Sequence, residues 1–134
     1  RQQVAANRPW NELARDVLTA SGSNTESPAV GYYIVTVGEQ RHADRSDAPE
    51  SVAQSFLGIR IGCAKCHNHP LERHTQDDFY HFAAYFSRVK LDRREAKAGV
   101  TTLRVTHPDQ NQNKNPVGVT QPRTGQFMKA RPLD

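Results

Sequence analysis

The chain has 134 residues, 36% of them hydrophobic, and a formal net charge of +4. That length fits one domain, and a mean hydropathy of −0.77 implies a modest protein core. No run approaches the roughly 18 consecutive apolar residues of a spanning helix, and two cysteines are too few for a disulfide framework.

In chain order, Asn7-Arg8-Pro9 opens a first helix, because proline at a helix start lacks only a donor that would go unpaired anyway. Trp10, Leu13, Val17 and Leu18 share one face, with Trp10 read as a core anchor, and Gly22 is the stop signal. Ser21 to Pro28 reads as a polar loop. Pro28 to Gly38 suits either a buried helix or a strand, and helix is the preferred reading. Asp47, with Glu50 three residues on, resembles a capping box that starts a helix at Ala48. That helix carries Val52, Ala53, Phe56, Leu57 and Ile59 towards the cysteines.

Cys63-Ala64-Lys65-Cys66-His67 follows, and this spacing is that of a c-type haem attachment site. Two thiols three residues apart can each form a thioether with one haem vinyl group, which leaves His67 beneath the iron as proximal ligand. Three other readings compete. A redox disulfide needs a βαβ context that the flanking pattern lacks. A zinc site would combine the thiols with two of His67, His69, His74 and His81, although their spacing is untidy. A pair of buried free cysteines leaves the adjacent histidine to chance.

Downstream, Thr75-Gln76-Asp77-Asp78 opens another helix, with Thr75 as cap and the acidic side chains where the helix dipole favours them. Phe79, Phe82, Ala83, Phe86 and Val89 form its apolar stripe, read as a core face. Arg88, Lys90, Arg93, Arg94 and Lys97 then read as a solvated basic face that could dock an acidic redox partner. Val100 to His107 alternates as one strand, and Val117 to Thr120 is expected to pair back on it. Between them lies a polar loop. No internal repeat and no recognised nucleic-acid motif is present.

The run Ser55-Phe56-Leu57-Gly58-Ile59-Arg60-Ile61-Gly62 into the motif, Asn68-His69-Pro70 after it, then Glu72-Arg73 and Thr75 to Tyr80, resembles the planctomycete-type cytochrome c-like domain of otherwise unknown function. The resemblance is specific over about residues 1 to 90 and weaker from Arg123 to Leu133. It implies a covalently held haem c and an exported, periplasmic setting in a larger modular protein. His74 stands where that family usually has Trp. Arg1-Gln2-Gln3 resembles neither an initiator-led start nor a secretory signal, so the chain is expected to be excised from a longer precursor.

The expected architecture is a mainly α, small c-type cytochrome-like domain. Residues 1–90 would form its helical haem-binding part and residues 91–134 an extended tail or short β-hairpin. A six-coordinate haem needs a second axial ligand, and Met128, the only methionine, ranks first because Met opposite His raises the reduction potential. His74 ranks second and His42 third. His107 also stays open, His69 suits a hydrogen bond to backbone or propionate, and His81 is expected in solvent. The expected function is single-electron transfer to a redox partner protein or to neighbouring domains. A haem enzyme or gas-binding domain with an open distal site, and a zinc-stabilised interaction module, are the alternatives.

Overall fold

The computed structural model describes residues 2–95, 101–107 and 117–133. The first helices are α1 (Gln2–Ala5) and α2 (Trp10–Leu18), with Pro9 in extended backbone just before α2. Neither helix buries a residue. Trp10 is accordingly 58% exposed and lies over Phe56, ring centroids 5.7 Å apart, so it covers the core's edge rather than anchoring its centre. Arg8 bridges Glu12 and Asp16 at 2.8 and 2.9 Å along this helix.

A short strand, β1 (Gly22–Ser23), precedes a tight turn (Pro28–Val30) that runs into α3 (Gly31–Val37). The ambiguous apolar run is therefore helical. Tyr33 and Val37 point into the core, and the Tyr33 hydroxyl donates to the Leu18 carbonyl at 3.0 Å. Burial pushes that phenol's pKa up.

The next helix, α4 (Ala48–Val52), starts where expected, but Asp47 makes no side-chain cap bond. It widens into a π turn, Ala53–Leu57, that ends at Gly58 with φ +70°. Only Ala53 of that turn is buried, and Leu57 is 51% exposed. By contrast, the box at the start of α5 (Gln76–Ala83) is complete: the Asp78 amide donates to Thr75 Oγ1, and the Thr75 amide donates to Asp78 Oδ2 at 2.8 Å. Phe79, Phe82, Ala83, Phe86 and Val89 are all buried, as the periodicity requires.

The chain then departs from the expected architecture. Lys90 to Glu95, within the stretch read as a solvated basic face, is a strand, β2, paired antiparallel with β3 (Thr101–Thr106). Leu91 faces Val105 across the pair, and both are buried. Lys97 lies outside the described residues. Strand β3 also pairs with β1, giving the order β1-β3-β2. The expected return strand, β4 (Gly118–Thr120), pairs instead with β5 (Phe127–Lys129) in a second antiparallel sheet. The mainly α, cytochrome-like helical fold with one C-terminal hairpin is thus overturned: this is a small mixed α/β domain. Its core joins α3, α4 and α5 to the β2–β3 pair through Val30, Tyr33, Val52, Phe79, Phe82 and Val105.

Candidate functional site

The cysteine motif sits on a single tight turn, Gly62–Lys65, between the π turn and α5. Its orientation follows from which side chains are apolar. Ile61 and Ala64 are fully buried and hold the turn down, while Cys63, Cys66 and His67 are exposed on the outer side. The Cys66 and His67 amides both donate to the Cys63 carbonyl at 3.3 Å, so the three chemistry-bearing residues belong to one hydrogen-bonded loop. Both cysteines are free thiols.

Helix α5 braces this loop from behind. Gln76 Nε2 donates to the carbonyls of Lys65 and Cys66 at 3.1 and 3.2 Å, and the Tyr80 hydroxyl donates to Lys65 O at 3.1 Å. Burial, reinforced by the neighbouring Cys66, pushes the Tyr80 phenol's pKa up, so it stays a donor. The far side of Gln76 is also occupied, its Oε1 accepting from Arg123 Nε at 2.9 Å. Gln121 bonds Asp77 and accepts from Thr124, which ties the turn before β5 to the same end of α5.

His67 is oriented by its neighbour. Its Nδ1–H donates to the Asn68 carbonyl at 2.7 Å, which fixes the tautomer and leaves Nε2 with its lone pair. The Asn68 side chain in turn accepts the Gln76 amide at 3.0 Å. The start of α5 therefore reaches the imidazole through one residue. An Nδ1–H donated to a carbonyl is the usual arrangement behind a metal-bound imidazole.

The other histidines divide by partner. His69 Nδ1 accepts the Leu71 and Glu72 amides at 3.3 and 2.9 Å, the backbone role foreseen for it. His81, partly exposed, bonds the Lys129 carbonyl through Nδ1 at 2.7 Å and so clasps β5 to α5. His107 Nε2 bonds the Ala20 carbonyl at 2.9 Å, so that nitrogen is already engaged. His74 is 7% exposed and lines a small cavity with Arg73, Asp78 and Pro132. Its carbonyl accepts the His69 amide, which closes the loop after the motif. His42 precedes the turn Ala43–Arg45, bridges to Lys90 and lines a larger cavity.

Met128 is the inward residue of β5, 2% exposed between two exposed neighbours, Phe127 and Lys129. Of the residues singled out in the sequence, the structure gathers Cys63, Cys66 and His67. It seats Met128 in the β4–β5 layer and His74 beside Asp78. Asn68, Gln76, Tyr80 and Arg123 were not anticipated. Beyond their place in the stretches that carry the resemblance, their one local signal is that Gln76 directly follows a helix cap, and a long-range hydrogen bond leaves no periodic trace.

Two observations bear on the competing readings of the motif. Among the described residues, no three His, Cys, Asp or Glu side chains come together so as to hold a metal ion, which a zinc site requires. Every described strand pair is antiparallel, so the βαβ setting of a thioredoxin-like disulfide is missing there. Haem attachment does not ask the thiols to converge on a metal. Outward-facing, separately reachable thiols beside an imidazole with Nε2 available fit that group's chemistry. Among the described residues no helix is long and apolar enough to cross a membrane.

No curated protein and no solved structure matches the chain. A family does: residues 1–91, more than half the chain, match PSCyt2, described as a protein of unknown function (DUF1549). The match takes in α1 to α5 and the motif turn and ends just inside β2. On that match, the chain belongs to the PSCyt2 family.

Proposed function

We propose that this is a monohaem c-type cytochrome domain that carries single electrons on the exported side of a membrane. Supporting that reading is one observation above all: Cys63, Cys66 and His67 stand outward on one turn, with the His67 Nδ1–H already committed to Asn68. Cys63 and Cys66 would hold the haem covalently, and His67 Nε2 would ligate its iron. When bound, haem supplies a one-electron iron couple whose potential depends on the axial ligands and their hydrogen bonds. The protein's part is to keep His67 fixed between redox states. Gln76 and Tyr80 do so by pinning the carbonyls of Lys65 and Cys66, and Asn68 by holding the ring.

Met128, His74 and His42 remain the candidates for the second axial position. A second reading, an open distal site that takes a small ligand, is favoured by the burial of Met128 at 2% exposure in β5. The partner in the first reading is a redox protein or a neighbouring domain.

The test is a visible spectrum of protein matured by export in a host with haem-attachment machinery, recorded oxidised and reduced and then in denaturant. Sharp reduced bands that survive denaturation are expected for wild type and absent for Cys63→Ala with Cys66→Ala. A low-spin spectrum indifferent to added carbon monoxide supports the carrier, whereas ready binding supports the open site. Absence of haem from protein matured this way would overturn both.

A further inference from the structure

Beside the motif turn lies a cavity of about 700 Å³ that shares only His42, the third-ranked distal candidate, with the electron-transfer reading. Its lining includes Lys65 but not Cys63, Cys66 or His67, so it opens beside the thiols rather than onto them. The volume is within the range of small-molecule sites, roughly 300–1,000 Å³. Its apolar side is built by Phe79 and Tyr80 of α5 and by Val119, Pro122 and Phe127 of the β4–β5 hairpin. Arg45, Lys65 and Lys90 come to it from three separate segments.

Two carboxylates temper this charge without cancelling it. Asp47, whose side chain is 85% exposed, meets Lys65 only at 3.9 Å, and Asp44 meets Arg45 at the same distance. Asp44 also lines the cavity, and its Oδ1 is buried without a hydrogen-bond partner. An unsatisfied buried acceptor is costly, and a donor on a bound molecule would relieve it. Burial pushes the Asp44 carboxyl up, outweighing its own backbone amide and the nearby charges of Arg45 and Lys90.

Flat aromatic walls, an excess of cations and one acceptor awaiting a donor define a complementary molecule. We propose that this cavity binds an organic anion with a flat aromatic body and a hydrogen-bond donor. The body lies between α5 and the β4–β5 hairpin, and the acidic group faces Arg45 and Lys90. Neither the thiols nor His67 contribute to the site, and of the candidate distal ligands only His42 lines it.

The test uses two dyes that share one body and one N–H donor but differ in charge: anilinonaphthalene sulfonate and neutral phenylnaphthylamine. Each is titrated into the whole chain, binding is read by fluorescence, and the location by backbone and aromatic NMR shifts. The sulfonate is expected to bind at least about tenfold more tightly than the neutral dye, the worth of a charged contact. Its shifts should centre on Phe79, Tyr80 and Val119. Arg45→Glu combined with Lys90→Gln should remove that advantage while leaving the neutral dye's affinity unchanged. The Arg45 side chain is 77% exposed, so its replacement does not disturb the core. Near-UV circular dichroism of the variant checks the fold, and Arg45→Glu alone serves if the pair misfolds. Equal affinity for both dyes would overturn the proposal, as would shifts centred instead on a second, separate apolar groove lined by Trp10, Tyr32, Val35 and Phe56. An unchanged sulfonate affinity in a folded variant would do the same.

Discussion

Helix α5 is flanked by two sulfur-bearing segments that treat their sulfur in opposite ways. The motif turn buries Ile61 and Ala64 and turns Cys63 and Cys66 outward, whereas β5 turns Phe127 and Lys129 outward and buries Met128. Both depend on α5: Gln76 and Tyr80 hold the turn, and His81 and Asp77 hold the hairpin through Lys129 and Gln121. The difference shows how sulfur is kept available for chemistry. A thiol stays reachable when apolar neighbours do the anchoring, and a thioether becomes packing when its strand has no other inward residue.

The sharpest way to break this comparison is at Met128. Its replacement by Ala is expected to cost about 2–5 kcal/mol in denaturant unfolding of haem-free protein, as for other large-to-small core changes. Cys63→Ser with Cys66→Ser should stay within about 0.5 kcal/mol, as exposed positions do. Similar costs at the two sites would dissolve the distinction. Haem-loaded Met128→Ala also reports on the distal ligand, because unchanged axial-ligand bands would remove Met128 from that role.

Gly118 is next in size. A Cβ there would run into the Phe127 ring and the Met128 carbonyl, so Gly118→Ala should cost about 1–3 kcal/mol by overpacking. It should also shift NMR signals of β5 while leaving the motif turn unmoved. Gln76→Ala sharpens the other side. It frees the Cys66 carbonyl and the Arg123 guanidinium and leaves the Lys65 carbonyl to Tyr80 alone, at a cost of about 1–2 kcal/mol. Its diagnostic effect is on the His67 ring, whose nitrogen-15 shifts should move from one Nδ1–H tautomer towards a mixture. Gln76→Glu keeps one acceptor for Arg123 and should not restore them.

The smallest effect comes from acid. Burial pushes the Asp78 carboxyl up, but bonds from the Thr75 amide and hydroxyl and from Arg131 outweigh it and hold it below the ordinary value of 3.8. A carboxyl lowered in the folded state contributes stability that is present above its unfolded pKa and lost as pH falls through its folded one. The α5 cap should therefore weaken only below about pH 4. Asp78→Asn should flatten that part of the stability profile, and an unaltered profile would remove the Thr75 and Arg131 contacts from the explanation.

Local signals were legible in the sequence and distant pairings were not. The Thr75 cap and the aromatic stripe of α5 are each written within a few residues, and each forms, as does the preferred helix in the ambiguous run before Gly38. Asp47 carries the same kind of signal and fails to cap, because a cap needs a bond as well as a spacing. Strand β2 was hidden by its charges. Apart from Leu91 it is Lys, Asp, Arg and Glu, and it is a strand because Leu91 meets Val105 of β3 in the core. Strand β1 is two residues long and exists through a partner some eighty positions away. The candidate site was legible where its chemistry is consecutive, at Cys63, Cys66 and His67. Its support came from elsewhere, as Gln76 acts from another segment on the carbonyls of Lys65 and Cys66, and Arg123 acts from a third on the Gln76 side chain.

The central claim is that the outward thiols are there to be joined to a haem. Intact-mass measurement of the exported, denatured chain tests it most directly, before and after Cys63→Ala with Cys66→Ala. A mass raised by one haem in the wild type and unshifted in the variant is the expected result. A wild-type mass equal to that of the bare polypeptide, from a host that loads other c-type cytochromes, would contradict it.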